Sequence, residues 1–356
     1  MFVLTVSGEF APVESVVERQ LESHPLLFGT AYGEEKFRYK LLATQARRAE
    51  VLALGTSRVM TFRDVFFSRP QSFFNAGGGV TALGEFAGFL ELLPANAVPK
   101  VVIVGLDHWY FNSRWKVDPR TLADYSTKLE PTAIFFEKWK TVLSDLFVYR
   151  KYSVQKLFEG VHSFDAVGLA AKVKRDGYLN DGSRYYGNIA FNYDDPSVNF
   201  DIGFKDTLSR ISLDASRFEW GDSVDEGALQ TLRKFVHTAR GMGVRVVSIL
   251  PPFAPKVWRA MRESGRYSYI DRLPDVLSRF CQSEDCEFYD FSDGATFGSF
   301  DDEFVDGFHG GEKTMGRLLR VMAARESTLA SYLAGPERFE ALLSAGNPRI
   351  VLPLAQ

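Results

Sequence analysis

The chain is poor in cysteine, with only Cys281 and Cys286 among its 356 residues. No histidine lies close to them, and two thiolates alone make a poor zinc site. Their spacing leaves two states open: a local disulfide, which favours an oxidising compartment, or a pair of free core thiols. Long apolar runs are also missing, none reaching the roughly 18 residues that span a bilayer. Met1 to Val6 is too short for a signal peptide and lacks its basic start. The formal net charge is −3 and no Lys/Arg cluster stands out, which argues against a nucleic-acid partner. There is no internal repeat, no low-complexity tract and no His-Glu-x-x-His metal pattern. What remains is ordinary globular composition, 46% apolar and 24% charged, at a length that suits one elaborated α/β domain with a large insertion. The aromatic share of 14%, led by 31 Phe, is high; it fits carbohydrate-facing or interface surface, or plain core.

Short continuous apolar runs carry the fold. Val51–Leu54, the run within residues 99–105 and Val244–Leu250 read as strands buried on both faces of a parallel sheet, and residues 287–291 as a fourth strand. Helical spacing over Thr81–Leu93, Gly227–Met242 and Glu312–Ala324 alternates with them. The expected architecture is therefore a doubly wound parallel sheet flanked by helices, a three-layer flavodoxin-like sandwich. It occupies residues 48–117 and 226–330, with an extension at 1–47 and another at 331–356. Residues 118–225 break the rhythm and read as an insertion or lid, with an amphipathic helix over Thr132–Tyr149 and a loop over Asp176–Asp195. Arg184, Tyr185 and Tyr186 in that loop, with Trp109, are candidates for a polar-sugar groove. His237, beside the apolar face of a helix, reads as structural.

The chemistry-bearing residues fall at strand ends, where ligands bind in open α/β sheets. Gly55-Thr56-Ser57 follows the first strand and presents Ser57 as a nucleophile or as a helix cap. Gly77, Gly78 and Gly79 follow an aromatic strand, Phe73-Phe74, and are expected at a helix start, with N–H groups facing the pocket. Asp107 and His108 follow the next strand. Asp306-Gly-Phe-His309 precedes the last helix, and its turn can fold the carboxylate back onto the imidazole. Acyl transfer through a serine needs a base, an orienting carboxylate and N–H donors for the oxyanion. Ser57, His309, Asp306 and the glycines supply that set. A metal site from Asp107, His108, Asp306 and His309 is a weaker reading.

On these residues the chain resembles the SGNH (GDSL-like) hydrolase superfamily. Gly55-Thr56-Ser57 resembles its nucleophile block, Asn75-Ala76-Gly77-Gly78-Gly79 its oxyanion glycine, and Asp306-x-x-His309 its last block, all in the family's order. More narrowly, it is similar to the extracytoplasmic SGNH-like proteins that accompany membrane-bound O-acyltransferases in teichoic acid D-alanylation and exopolysaccharide acetylation. The resemblance implies a serine-dependent O-acyl esterase or acyltransferase with no cofactor and no metal, acting on a polysaccharide or acyl-sugar. It also implies a membrane-bound acyltransferase as partner and an extracytoplasmic site, with an N-terminal anchor whose stump would be Phe2 to Val6. One block departs: the family's Gly-x-Asn-Asp is here Gly105-Leu106-Asp107-His108. The Asn donor to the oxyanion is thus replaced by a carboxyl. Either Asp107 is protonated, or His108 or a backbone N–H substitutes, or the protein is a weak hydrolase adapted to transfer or binding.

Overall fold

A computed structural model describes residues 2–22, 24–33, 35–115, 134–153, 155, 157, 164–325 and 327–354. Its strands, in chain order, are β1 (Leu26–Phe28), β2 (Val51–Leu54), β3 (Phe73–Asn75), β4 (Val101–Gly105), β5 (Asp165–Val167), β6 (Asp176–Tyr178), β7 (Arg184–Tyr186), β8 (Arg245–Leu250), β9 (Glu287–Asp290), β10 (Phe304–Asp306) and β11 (His309–Gly310).

The main sheet has the order β3-β2-β4-β8-β9, every neighbouring pair parallel. Alternate residues along its strands enter two separate cores. Leu52, Leu54, Val102, Val104, Val246 and Leu250 pack under helices Lys36–Arg47, Glu85–Glu91, Glu226–Gly241 and Ser268–Glu284. Val51, Ala53, Val101, Ile103, Val247 and Ile249 pack under Glu312–Ala324 and Pro336–Leu343. Helices therefore cover both faces, and continuous apolar strands are what that burial selects. The fifth strand, β3, is a short edge of three residues.

A second sheet, β5-β1-β6-β7, is mixed. It joins the chain's first segment to the insertion: β1 runs parallel to β5 and antiparallel to β6. Residues 176–186, expected as loop, form a hairpin instead. Its turn is built by Asp181, whose Oδ1 accepts the N–H and the hydroxyl of Ser183, and by Gly182 at φ +78°. The expected helix over Thr132–Tyr149 is helical over Ile134–Leu143 and continues as a π-helical turn, Ser144–Val148; residues 132 and 133 lie outside the described residues. Residues Phe2–Ser7 form a helix whose Leu4 is buried against Val142 and Leu146. No helix among the described residues is long and apolar enough to cross a membrane.

Cys281 and Cys286 are joined as a disulfide that ties the end of helix Ser268–Glu284 to the start of β9. His237 Nε2–H donates to the Glu284 carboxylate at 2.8 Å on the surface.

Candidate active site

Strand β2 ends in Gly55-Thr56, and Ser57–Val59 form a single 3-10 turn. The cap of that turn is Thr56, not Ser57: the Thr56 hydroxyl accepts the Arg58 N–H and donates to Asp107 Oδ2 at 2.7 Å. The Ser57 hydroxyl is thereby left for another partner. The turn is seated by Val59, which packs against Gly105 at the end of β4. A Cβ on Gly105 would come within 2.4 Å of Val59 Cγ1, so only glycine allows the turn to settle there.

The partner of Ser57 is His309, whose Nε2 lies 2.7 Å from Ser57 Oγ. On the other side of the ring, His309 Nδ1 lies 2.7 Å from Asp306 Oδ2. Asp306 and His309 face each other across the β10–β11 hairpin. Asp306 Oδ1 also accepts the N–H groups of Phe308 and His309. Burial works against ionisation of Asp306, but the imidazole and these N–H donors outweigh it and hold the carboxyl below its ordinary range. An ionised Asp306 accepts a hydrogen bond from Nδ1–H, so Nε2 presents its lone pair to the serine hydroxyl. His309 and Asp306 remain partly accessible, with side chains 15% and 16% exposed, and Ser57 is half-buried. Asp201, from the insertion, braces the hairpin by accepting the Gly307 N–H at 3.0 Å, and Thr61 donates to the Gly310 carbonyl.

Asp107 and His108 do not face this rim. Each is 1% exposed. Both belong to a buried network centred on Arg58, a residue the sequence reading passed over. The Arg58 guanidinium donates to the carbonyls of Phe308, Pro251 and Pro252. It lies 3.6 Å from Asp107 Oδ1 and 3.3 Å from His108 Nδ1, and covers the Phe253 ring at 4.2 Å. Burial lowers it to about 10, with Asp107 and Asp306 opposing, so it stays charged at neutral pH. Burial and then Arg58 push His108 well down, keeping it neutral. Arg58 occupies Nδ1, so Nε2–H donates to Ser292 Oγ at 2.7 Å, and Ser292 donates to Asp290. Burial raises the Asp107 carboxyl, with Arg58 and the Thr56 hydroxyl opposing. Nothing in the sequence marks Arg58 as internal, because a fully buried arginine runs against the usual placement of charge.

The glycine expectation is corrected as well. The helix begins only at Glu85, so Gly77, Gly78 and Gly79 form a turn well before it. Their N–H groups are already used: Gly77 donates to Asn75 Oδ1, Gly78 to the Gly55 carbonyl, and Gly79 to the Ala76 carbonyl. Gly78 is required for its φ of +79°. The N–H of Ser57, first in its 3-10 turn, has no partner inside that turn and no acceptor among the described residues.

Of the groove candidates, Trp109 is buried beneath Arg58 and Arg217, and Tyr185 is buried with its hydroxyl accepting the Leu354 N–H. Neither can line a groove. Arg184 pairs with Asp176 at 2.7 Å and lines a separate, more apolar cavity of about 310 Å³ with Phe28, Tyr39 and Tyr178. Tyr186 is half-buried and close enough to feel the Asp306 carboxylate. No cluster of three or more His, Cys, Asp or Glu side chains suited to a metal occurs among the described residues.

No protein-family model matches the chain, and no curated protein is significantly similar to it.

Proposed function

We propose that the protein is a serine-dependent O-acyl esterase or acyltransferase of the SGNH type, acting extracytoplasmically on a polysaccharide or acyl-sugar beside a membrane-bound O-acyltransferase. One observation carries this reading: the unbroken line Ser57 Oγ, His309 Nε2, His309 Nδ1, Asp306 Oδ2, with 2.7 Å at each hydrogen bond. In the acylation step Ser57 Oγ attacks the acyl carbon while its proton passes to His309 Nε2. Asp306 holds the imidazole in register and stabilises the imidazolium. His309 then returns the proton to the departing sugar oxygen, leaving Ser57 acylated. Water completes hydrolysis, or a sugar hydroxyl completes transfer, with His309 again acting as base.

The oxyanion support is thin. Asp107 is buried beside Arg58 and accepts from the Thr56 hydroxyl, and the three glycine N–H groups are spent, so the Ser57 N–H is the donor in hand. One lost donor costs about 10²–10³ in rate. That deficit favours a second reading, a catalytically weak module that binds polysaccharide or the acyltransferase. Turnover of p-nitrophenyl acetate separates them. Wild type should hydrolyse it, and Ser57→Ala and His309→Ala should each lose about 10³-fold or more with unfolding midpoints unchanged. Equal rates for wild type and Ser57→Ala would remove the enzyme reading.

A further inference from the structure

Away from the rim that carries Ser57, the surface of the insertion is uneven. Helix Ile134–Leu143 and the π-helical turn Ser144–Val148 bury Val142 and Leu146 in a small core with Leu4, Tyr32 and Leu169. The same stretch leaves large apolar side chains outside. Trp139 is 45% exposed, Leu143 46%, Phe147 68%, Val148 71% and Tyr149 73%. Crowded between positions 139 and 149, they form a patch, unlike the scattered single exposures that any surface tolerates.

The backbone there is unusual too. The Tyr149 N–H donates to the Ser144 carbonyl, which closes a π turn of a kind concentrated at functional sites. Arg150 follows at φ +48°, a left-handed conformation that favours glycine. Phe147, Val148 and Tyr149 therefore stand on the turn itself instead of folding under it.

Charge indicates what covers this patch. From Trp139 to Lys151 the charged residues are Lys140, Asp145, Arg150 and Lys151. Asp145 is buried, accepts the Tyr32 hydroxyl and pairs with Lys151 at 3.4 Å. Lys140 is exposed with its ammonium 5.7 Å from the centre of the Trp139 ring, inside the patch, and Arg150 is exposed beside Tyr149. Neither has an acidic partner among the described residues. The charge this face shows to solvent is thus cationic. A second copy of the chain, docked across a two-fold axis, would set the same cations against each other. An anionic surface complements them.

We propose that this face docks on a bilayer bearing anionic lipid. The aromatic and aliphatic side chains enter the boundary between headgroups and acyl chains, while Lys140 and Arg150 meet lipid phosphates. With so few cations, apolar insertion supplies most of the binding and charge selects the lipid. The proposal goes beyond the catalytic reading and does not rest on it.

The test is flotation of the full chain with two vesicle types, pure phosphatidylcholine and an equal mixture of phosphatidylcholine and phosphatidylglycerol. Binding to the anionic vesicles should be about tenfold tighter than to the neutral ones and should weaken with added salt. Arg150→Gln should cost about fivefold. Replacing Phe147, Val148 and Tyr149 together by serine should cost at least about tenfold, with the unfolding midpoint held, because these side chains are exposed. Leu213→Ser serves as the control: that side chain is 70% exposed on helix Lys205–Leu213, which packs in a different core, and binding should not change. Equal binding to both vesicle types overturns the proposal, as does binding indifferent to the triple serine variant. Absence of vesicle binding by the folded protein also overturns it. If that absence comes with a dimer that the triple variant dissolves, the face belongs to a second copy.

Discussion

The two sheets are built by different physics. The five-stranded sheet is apolar on both faces, and its strands carry their own burial signal; the β4 pattern Val101–Gly105 is buried throughout. The four-stranded sheet consists of three-residue strands from distant parts of the chain. It is fastened to the first by polar groups. Asp181 at the hairpin turn accepts from Arg63 Nε and the Asp64 N–H, while Arg63 also reaches Glu312 at 2.6 Å. The buried Lys40 Nζ donates to the carbonyls of Asn75 and Gly182, and the Arg184 N–H donates to the Met60 carbonyl. A hydrophobic sheet sets where the reacting groups stand, and a hydrogen-bonded one sets what surrounds them. Buried polar contacts cost more to break than apolar ones cost to trim, so the joints between the sheets are where single substitutions should tell most.

The largest effect is expected at Arg58, which lies on the apolar sheet's side yet is held by polar contacts. Arg58→Met leaves Asp107 buried without its cation and three carbonyls without their donor. It should destabilise by about 3–5 kcal/mol in denaturant unfolding and lower ester turnover, because the Phe308 carbonyl that anchors the His309 hairpin is released. A loss under about 1 kcal/mol would mean the network is not structural. A middling effect is expected at the seam. Asp181→Asn keeps the shape but removes the negative charge facing Arg63, at a cost of about 2 kcal/mol. Hydrogen exchange should then quicken across residues 176–186 while β2, β4 and β8 stay protected; uniform quickening would show that the two sheets unfold as one.

The smallest effect is a pH slope. Asp64 is pushed up to about 8, first by burial and then by the neighbouring Asp181. The folded protein thus keeps a proton there that the unfolded chain releases near the ordinary carboxylate value of about 4. Stability should fall as pH rises between those limits, since the folded state binds more protons throughout the window. Asp64→Asn should flatten that fall, measured by unfolding at both ends of the window. An unchanged slope would place the proton elsewhere.

This contrast also explains what could be read from the chain alone. Val51–Leu54 and Val244–Leu250 announce strands because burial on both faces leaves no alternation to disguise them. The Asp306-x-x-His309 spacing announces a turn because a hairpin needs only local geometry. The second sheet left little trace: Leu26–Phe28 is one residue triplet among many, and its partners lie more than a hundred positions away. The Asn180-Asp181-Gly182 turn was a legible hairpin signal, obscured by the tyrosines around it. Arg58, Asp201 and the inward turn of Asp107 were not legible, since their roles depend on which carbonyls and hydroxyls happen to converge around them in three dimensions. Trp109 misled for the same reason: an aromatic at a strand end serves a groove or a core equally well until its neighbours are known.

The partners Ser57 and His309 are separated by 252 positions. On the ribosome, the nascent chain therefore carries Ser57 as an ordinary alcohol through most of its synthesis, and the residue gains its base only when one of the last hairpins emerges and docks.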